Sequence, residues 1–237
     1  MSFRINKLFL SVLVVGLVLA CKSSEKTATE TLSERTQEST STSNSSDLEA
    51  LYWARIDSSR MNFTAADVKF MTMMIGHHAQ ALIMSDLAPK NGASPQIQTL
   101  SSRIINAQKD EIKTMQTWLK DRDQPVPEVH IEGLNLMIHG PGMDHMNHMT
   151  MVGMLTQDQL VELSEAKGKE FDRLFLTYMI QHHKGATSMV EELISTDGAV
   201  QDEEAFKISA DINVDQITEI ERMKLMLFEM EASKDLK

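Results

Sequence analysis

Apolar and polar positions alternate along most of the chain with the period of a helix. From Asp67 to Met84 the sequence reads DVKFMTMMIGHHAQALIM, and positions 67, 70, 74, 77, 81 and 84 step by three and four. They therefore fall on one stripe of a helix: Asp67, Phe70, Met74, His77, Ala81, Met84. The same stripe returns at a constant offset in DRLFLTYMIQHHKGATSM, as Asp172, Phe175, Met179, His182, Ala186, Met189. One histidine of each His-His pair thus stands in the middle of a mostly apolar seam. The other, His78 or His183, lies about 100° round the helix. A second segment also repeats. Ile104, Gln108, Glu111, Met115, Trp118 matches Ile212, Gln216, Glu219, Met223, Met226, with the offset longer by three residues. Each repeat predicts a helical hairpin, and two hairpins make an all-α four-helix bundle. His77, His182, Glu111 and Glu219 are placed to meet in one polar layer inside it. A buried imidazole needs a hydrogen-bond partner or a metal.

The element boundaries follow from local chemistry. Thr64 with Asp67 three residues on reads as a capping box at the start of the first main helix, which Pro89 stops. Asn91 and Gly92 turn the chain, and Ser94 followed by Pro95 is an N-cap with a first-turn proline. The second helix runs to about Lys120. Asp121 to Gly153 breaks the pattern with Pro125, Pro127 and Pro141, so any strands are short and lie in this crossover. A third helix or helix pair starts after Thr156, with a break at Gly168, and the last helix runs from beyond Gly198 to about Ser233. The repeats so defined span about 60–120 and 156–235, with the crossover at 121–155. Leu48, Leu51, Tyr52, Trp53 and Ile56 predict a short helix before them, packed on the bundle.

At the N-terminus, Arg4 and Lys7 precede an apolar run from Leu8 to Ala20. The run is shorter than the roughly 20 residues a spanning helix needs and suits a signal-peptide core at 1–20. It ends in VLAC, and Cys21 is the one cysteine. A small residue before a single cysteine reads as a lipidation site, with cleavage before Cys21; the alternative is an ordinary signal peptide. Either way the mature protein is expected outside the cytoplasm, in the cell envelope or periplasm. With one cysteine it forms no internal disulfide. The stretch 21–46 is rich in Ser, Thr and Glu with few apolar residues, and is expected to be a flexible tether between a membrane anchor and the domain at 47–237.

The doubled MI-x-HH pattern resembles the family catalogued as domain of unknown function 305, with its upstream Asp and Phe and its downstream Q-x2-EI-x2-M element. The resemblance covers roughly residues 60–235, both repeats included. It implies a ferritin-like fold and a metal-handling theme, since some members are periplasmic copper-binding proteins. It implies no settled activity.

The crossover carries a second chemical signal. Met143, His145, Met146, His148 and Met149 lie together, preceded by Met137 and His139 and followed by Met151 and Met154. Thioether and imidazole suit soft Cu(I), and Ag(I) by the same softness. Methionine needs no deprotonation, so it binds in acid and where thiols oxidise. Zinc favours Cys, His and carboxylate, and calcium or magnesium favour oxygen, so neither accounts for the methionines, although another metal stays open. The net charge of −11 argues against nucleic acid and attracts cations.

Each signal also has a plainer reading. Met74, Met84, Met115, Met179, Met189 and Met223 at helical spacing read first as core filler. Asp67 and Asp172 read first as helix N-terminal residues, and Glu111 and Glu219 can serve simply as hydrogen-bond acceptors for histidine. The reading favoured is a copper-binding protein for sequestration, tolerance or delivery, with metal ligands among His77, His78, His182, His183, Glu111 and Glu219 and in the crossover. It would hand metal to an envelope partner. The alternatives are a ferritin-like metal-dependent oxidase and a structural bundle without metal. Against the oxidase, the Glu-x-x-His motif of di-iron bundles is absent: Ile75 and Ile180 stand three residues before His78 and His183.

Overall fold

The computed structural model describes residues 30–140 and 151–232, with side chains from residue 44 onward. The signal-like stretch, Cys21 and the crossover residues Met143, His145, Met146, His148 and Met149 lie outside these residues. The chain divides into two compact units, Met1–Leu51 and Tyr52–Lys237. The described part of the first belongs to α1 (Glu30–Arg60), which takes in much of the stretch expected as a tether. Before Leu48 that helix has no apolar stripe to bury. Leu48, Leu51, Tyr52 and Trp53 are all more than half exposed and Ile56 is half-buried, so the short packed helix expected here is instead a longer helix with most of its apolar residues in solvent. Within the second unit, Arg55 pairs with Glu203, and Ser59 Oγ accepts from Glu203 N at 3.0 Å.

The second unit is the bundle. Its helices are α2 (Ala65–Asp86), α3 (Pro95–Lys120), α5 (Gly168–Ile194) and α6 (Glu203–Ala232). Between the hairpins come β1 (Glu128–Glu132), β2 (Asn135–His139) and the short α4 (Gln157–Glu165). Among the described residues the fold is all-α apart from this two-stranded antiparallel ribbon. The signals that start the helices act as predicted. Thr64 N donates to Asp67 Oδ2 at 2.7 Å and Asp67 N to Thr64 Oγ1 at 3.4 Å. Ser94 caps α3, with Pro95 as its first residue. Thr156 and Gln159 form a second capping box on α4. Each cap satisfies backbone donors that a helix otherwise leaves orphaned, worth about 1 kcal/mol. Gly168 at φ 55 separates α4 from α5.

α2 packs on α3 and α5 on α6 within the hairpins, and α2 crosses α5 at the centre. The two repeat stripes exchange ends across this seam. Phe70, Met74, Ala186 and Met189 belong to one apolar cluster, and Phe175, Met179, Ala81 and Met84 to the other. α3 and α6 obey the same exchange: Met115 and Ile212 sit in the first cluster, Ile104 and Met223 in the second. The seam methionines are thus packed in the core, as filler would be. The repeat in the sequence has become a pseudo-two-fold axis, and the histidines lie between the two apolar clusters.

Two aspartates lock the repeats together. Asp67, in the first turn of α2, accepts from Val200 N in the α5–α6 turn at 2.8 Å. Its counterpart Asp172, in the first turn of α5, accepts from Ser94 N at the start of α3 at 3.1 Å. Each hairpin therefore closes the turn of the other. At one end Arg122, buried after α3, pairs through Nε with Asp202 and through Nη2 with Glu204 at 2.9 Å. Asp202 in turn accepts from the first amides of α6, Glu204 N and Ala205 N.

The β-ribbon lies on α2. Its register pairs Glu128 with His139, His130 with Met137, and Glu132 with Asn135. The two-residue turn Gly133-Leu134 puts glycine, at φ 60, where a II′ turn demands it. Ile138 packs over Gly76, whose missing side chain makes room: a Cβ there would lie 2.3 Å from Ile138 Cδ1.

Candidate metal centre

α2 and α5 each carry their histidine pair at mid-length, where the helices cross. All four rings are fully buried. The helical stripe places only His77 and His182 in the seam; the structure also covers His78 with α3 and His183 with α6. The carboxylates accordingly serve the second histidine of each pair. His183 Nε2 donates to Glu219 Oε2 at 2.7 Å. His78 Nε2 lies 2.7 Å from Glu111 Oε2, but its N–H does not align on that oxygen. The first histidines use backbone instead: His77 Nε2 reaches Val152 O at 3.2 Å, and His182 Nε2 reaches His77 O at 3.0 Å. His77 and His182 face each other with ring centroids 3.9 Å apart. The layer expected from the sequence therefore exists with different partners, because α3 and α6 flank the α2–α5 seam rather than close it.

These partners fix the protons. A carbonyl only accepts, so His77 and His182 carry their proton on Nε2, which leaves Nδ1 a bare lone pair. In all four histidines Nδ1 is buried without a hydrogen-bond partner. Burial, then the neighbouring His78, lowers His77 to about 3, with the Val152 carbonyl opposing. Burial, then His77, pushes His182 well below its ordinary value. Both rings are neutral at physiological pH, the form that binds metal. One turn before the glutamates, Gln108 and Gln216 are also buried. Both side-chain polar atoms of Gln108, and Oε1 of Gln216, lack partners. The interior layer holds more polar capacity than it satisfies, whereas native cores leave few such atoms.

Where α3 and α6 diverge, a groove of about 770 Å³ opens beside this layer. Asp110, Glu111, Asp211 and Asp215 line it. Partial burial, then Glu111, Glu219 and Asp211, raise the Asp215 carboxyl above its ordinary value. Lys113 and Lys207 also line the groove, and Lys207 pairs with Asp211.

The chain leaving the crossover is clamped against the histidines. Gln80 holds Leu155 at both backbone groups: its Nε2 donates to Leu155 O at 3.0 Å, and Leu155 N donates to its Oε1 at 2.7 Å. Gly185 permits the close approach of Val152 and Gly153; a Cβ on Gly185 would lie 2.0 Å from Val152 O. Met151 and Met154 are buried in this clamp. The sequence reading missed Gln80 and Gly185, although their signal is visible: one repeat reads GHHAQ and the other QHHKG, so glycine and glutamine change places around the histidines.

Bare imidazole nitrogens fit copper by donor type. Among the described residues, however, no three His, Cys, Asp or Glu side chains converge as one ligand group. The interior layer presents donors in pairs.

Two repeated hairpins closed around inward imidazoles define a duplicated, histidine-centred helical bundle. The profile of the domain of unknown function DUF305 matches residues 67–227, and the chain belongs to that family. A DUF305 fragment from Deinococcus radiodurans is 26% identical, over 70% of this chain and 98% of its own, with a TM-score of 0.57. A DUF305 protein from Streptomyces coelicolor, described as secreted, is 25% identical over 70% of this chain and 94% of its own, at 0.56. CopM in its Cu(II)-bound form is 30% identical over 69% of this chain and 96% of its own, at 0.51. A comparison with curated protein sequences finds no match.

Proposed function

We propose that this chain is an exported copper-binding protein that sequesters Cu(I), with Ag(I) as a chemical analogue, or delivers it to a partner in the envelope. The observation that carries the reading is the buried layer of four histidines, each with an unpartnered Nδ1. Such atoms cost free energy in an empty core, about 1–3 kcal/mol each, and a metal that accepts imidazole lone pairs offsets that cost. The copper-bound relative supports the choice of metal. His77, His78, His182 and His183 supply nitrogen in this reading, with Glu111 and Glu219 orienting the second histidine of each pair. Met143, His145, Met146, His148 and Met149 supply the soft donors of the crossover. The described helices include none long and apolar enough to cross a membrane. Attachment in this reading comes through lipid on Cys21, after removal of 1–20, with the stretch from 21 to 46 leading to the domain.

The test is a Cu(I) titration of the full mature chain against a chromophoric Cu(I) chelator. The reading predicts at least one tightly held equivalent, reduced when His145 and His148 are both replaced by Ala. A wild-type chain that takes no Cu(I) from the chelator contradicts it.

A further inference from the structure

The β-ribbon carries a soft-donor cluster that the interior layer does not use. Side chains alternate across a strand, so Glu128, His130 and Glu132 share one face of the ribbon with Asn135, Met137 and His139. The opposite face holds Val129 and Ile138. Ile138 is buried on α2 over Gly76, and Val129 packs against the core cluster that contains Met71 and Trp118. The first face therefore looks away from the bundle. His130 and His139 are exposed on it, and Met137 is half-buried between them. His130 stands directly opposite Met137, and His139 is the next residue on the same face of β2. Directly opposed Cβ atoms in such a pair are about 4.5–5.5 Å apart and diagonal ones about 7–8 Å, within the combined reach of long side chains.

We propose that His130, Met137 and His139 form a surface site for a soft monovalent cation, Cu(I) or Ag(I), held by two imidazoles and one thioether. The site rests on the copper reading above but uses neither the interior histidines nor the crossover residues Met143, His145, Met146, His148 and Met149. Its thioether favours a soft ion. No third His, Cys, Asp or Glu completes a ligand group here, so the third donor is the Met137 sulfur, which zinc, calcium and magnesium do not favour. The position also suits exchange. The donors sit on a rigid, register-locked ribbon and face solvent, so an ion is captured without opening the core. A structural role would require these side chains to pack, and the two histidines do not.

The experiment titrates Cu(I) into the full mature chain and into His130→Ala/Met137→Leu/His139→Ala, with a chromophoric chelator in competition. The variant is expected to lose one Cu(I) equivalent with an unchanged circular dichroism spectrum. His145→Ala/His148→Ala is expected to keep that equivalent. A second measurement needs no variant: Ag(I) added to wild type should shift the Met137 methyl and the His130 and His139 ring resonances together. Equal Cu(I) binding by wild type and triple variant, or Ag(I) shifts that spare these three residues, overturns the ribbon site and leaves the copper reading standing. A wild type that binds neither ion overturns both.

Discussion

His182 Nε2 lies 3.0 Å from the backbone oxygen of His77, its own counterpart in the other repeat. The contact is not reciprocated: His77 Nε2 turns to Val152 O in the chain leaving the crossover. The duplicated bundle is thus symmetric in its apolar clusters and asymmetric at its centre. That asymmetry is where the crossover meets the histidines, and it links the buried layer to the Met- and His-bearing connector on which the proposed copper function also draws.

Removing the close approach at this junction should be costly. Gly185→Ala places a methyl group on Val152 O and must push the clamp outward, since both partners are backbone. Chemical denaturation should show a loss of about 1–3 kcal/mol, with metal binding weakened further by displacement of Val152 from His77. Unchanged stability would mean that the clamp is not seated as described.

Acid should destabilise the metal-free protein through the two facing rings. Both have pKa values lowered by burial. They stay neutral in the fold while the unfolded chain takes up protons below about 6.5. Their contribution is therefore fully present above about pH 6.5 and is lost as pH falls toward the lowered folded values. The expected slope is up to about 1.4 kcal/mol per pH unit for each ring. Denaturation curves between pH 7 and 4 measure it. His77→Gln/His182→Gln should flatten that dependence.

Gln108 offers a test of whether the polar layer is functional strain. It is buried with both side-chain polar atoms unpartnered. Gln108→Leu removes them in an apolar exchange of similar size and should raise the stability of the metal-free protein by about 1 kcal/mol or more. A fall in stability would reveal a partner, such as an ordered water, that Gln108 holds in solution.

Arg122 and Asp202 are both almost completely buried and tie the end of α3 to the start of α6. Arg122→Ala leaves the Asp202 carboxylate without its cation and should cost about 3–5 kcal/mol. Metal stoichiometry measured below the new melting temperature should not change, since the pair lies apart from the histidines.

The helical frame was legible because its signals are local. Thr64 with Asp67, Ser94 with Pro95, and Thr156 mark starts that depend only on neighbouring residues, and the repeated stripe fixes the bundle. What escaped depends on which helix lies beside which. A single-helix stripe assigns His77 to the seam but cannot say that α3 covers His78, so Glu111 and Glu219 were matched to the wrong member of each pair. Likewise, Leu48, Leu51, Tyr52 and Trp53 make an apolar stretch that any pattern would bury, yet all four are more than half exposed. His130 was passed over because its relation to Met137 arises only when the ribbon pairs.

In the proposed function the facing imidazoles of His77 and His182 bind the metal. Copper-edge X-ray absorption of the copper-loaded wild type and of His77→Ala/His182→Ala tests it directly. Imidazole scattering is expected in the wild type and should fall, together with copper content, in the variant, while helicity persists. Identical copper content and identical spectra from the two proteins would contradict it.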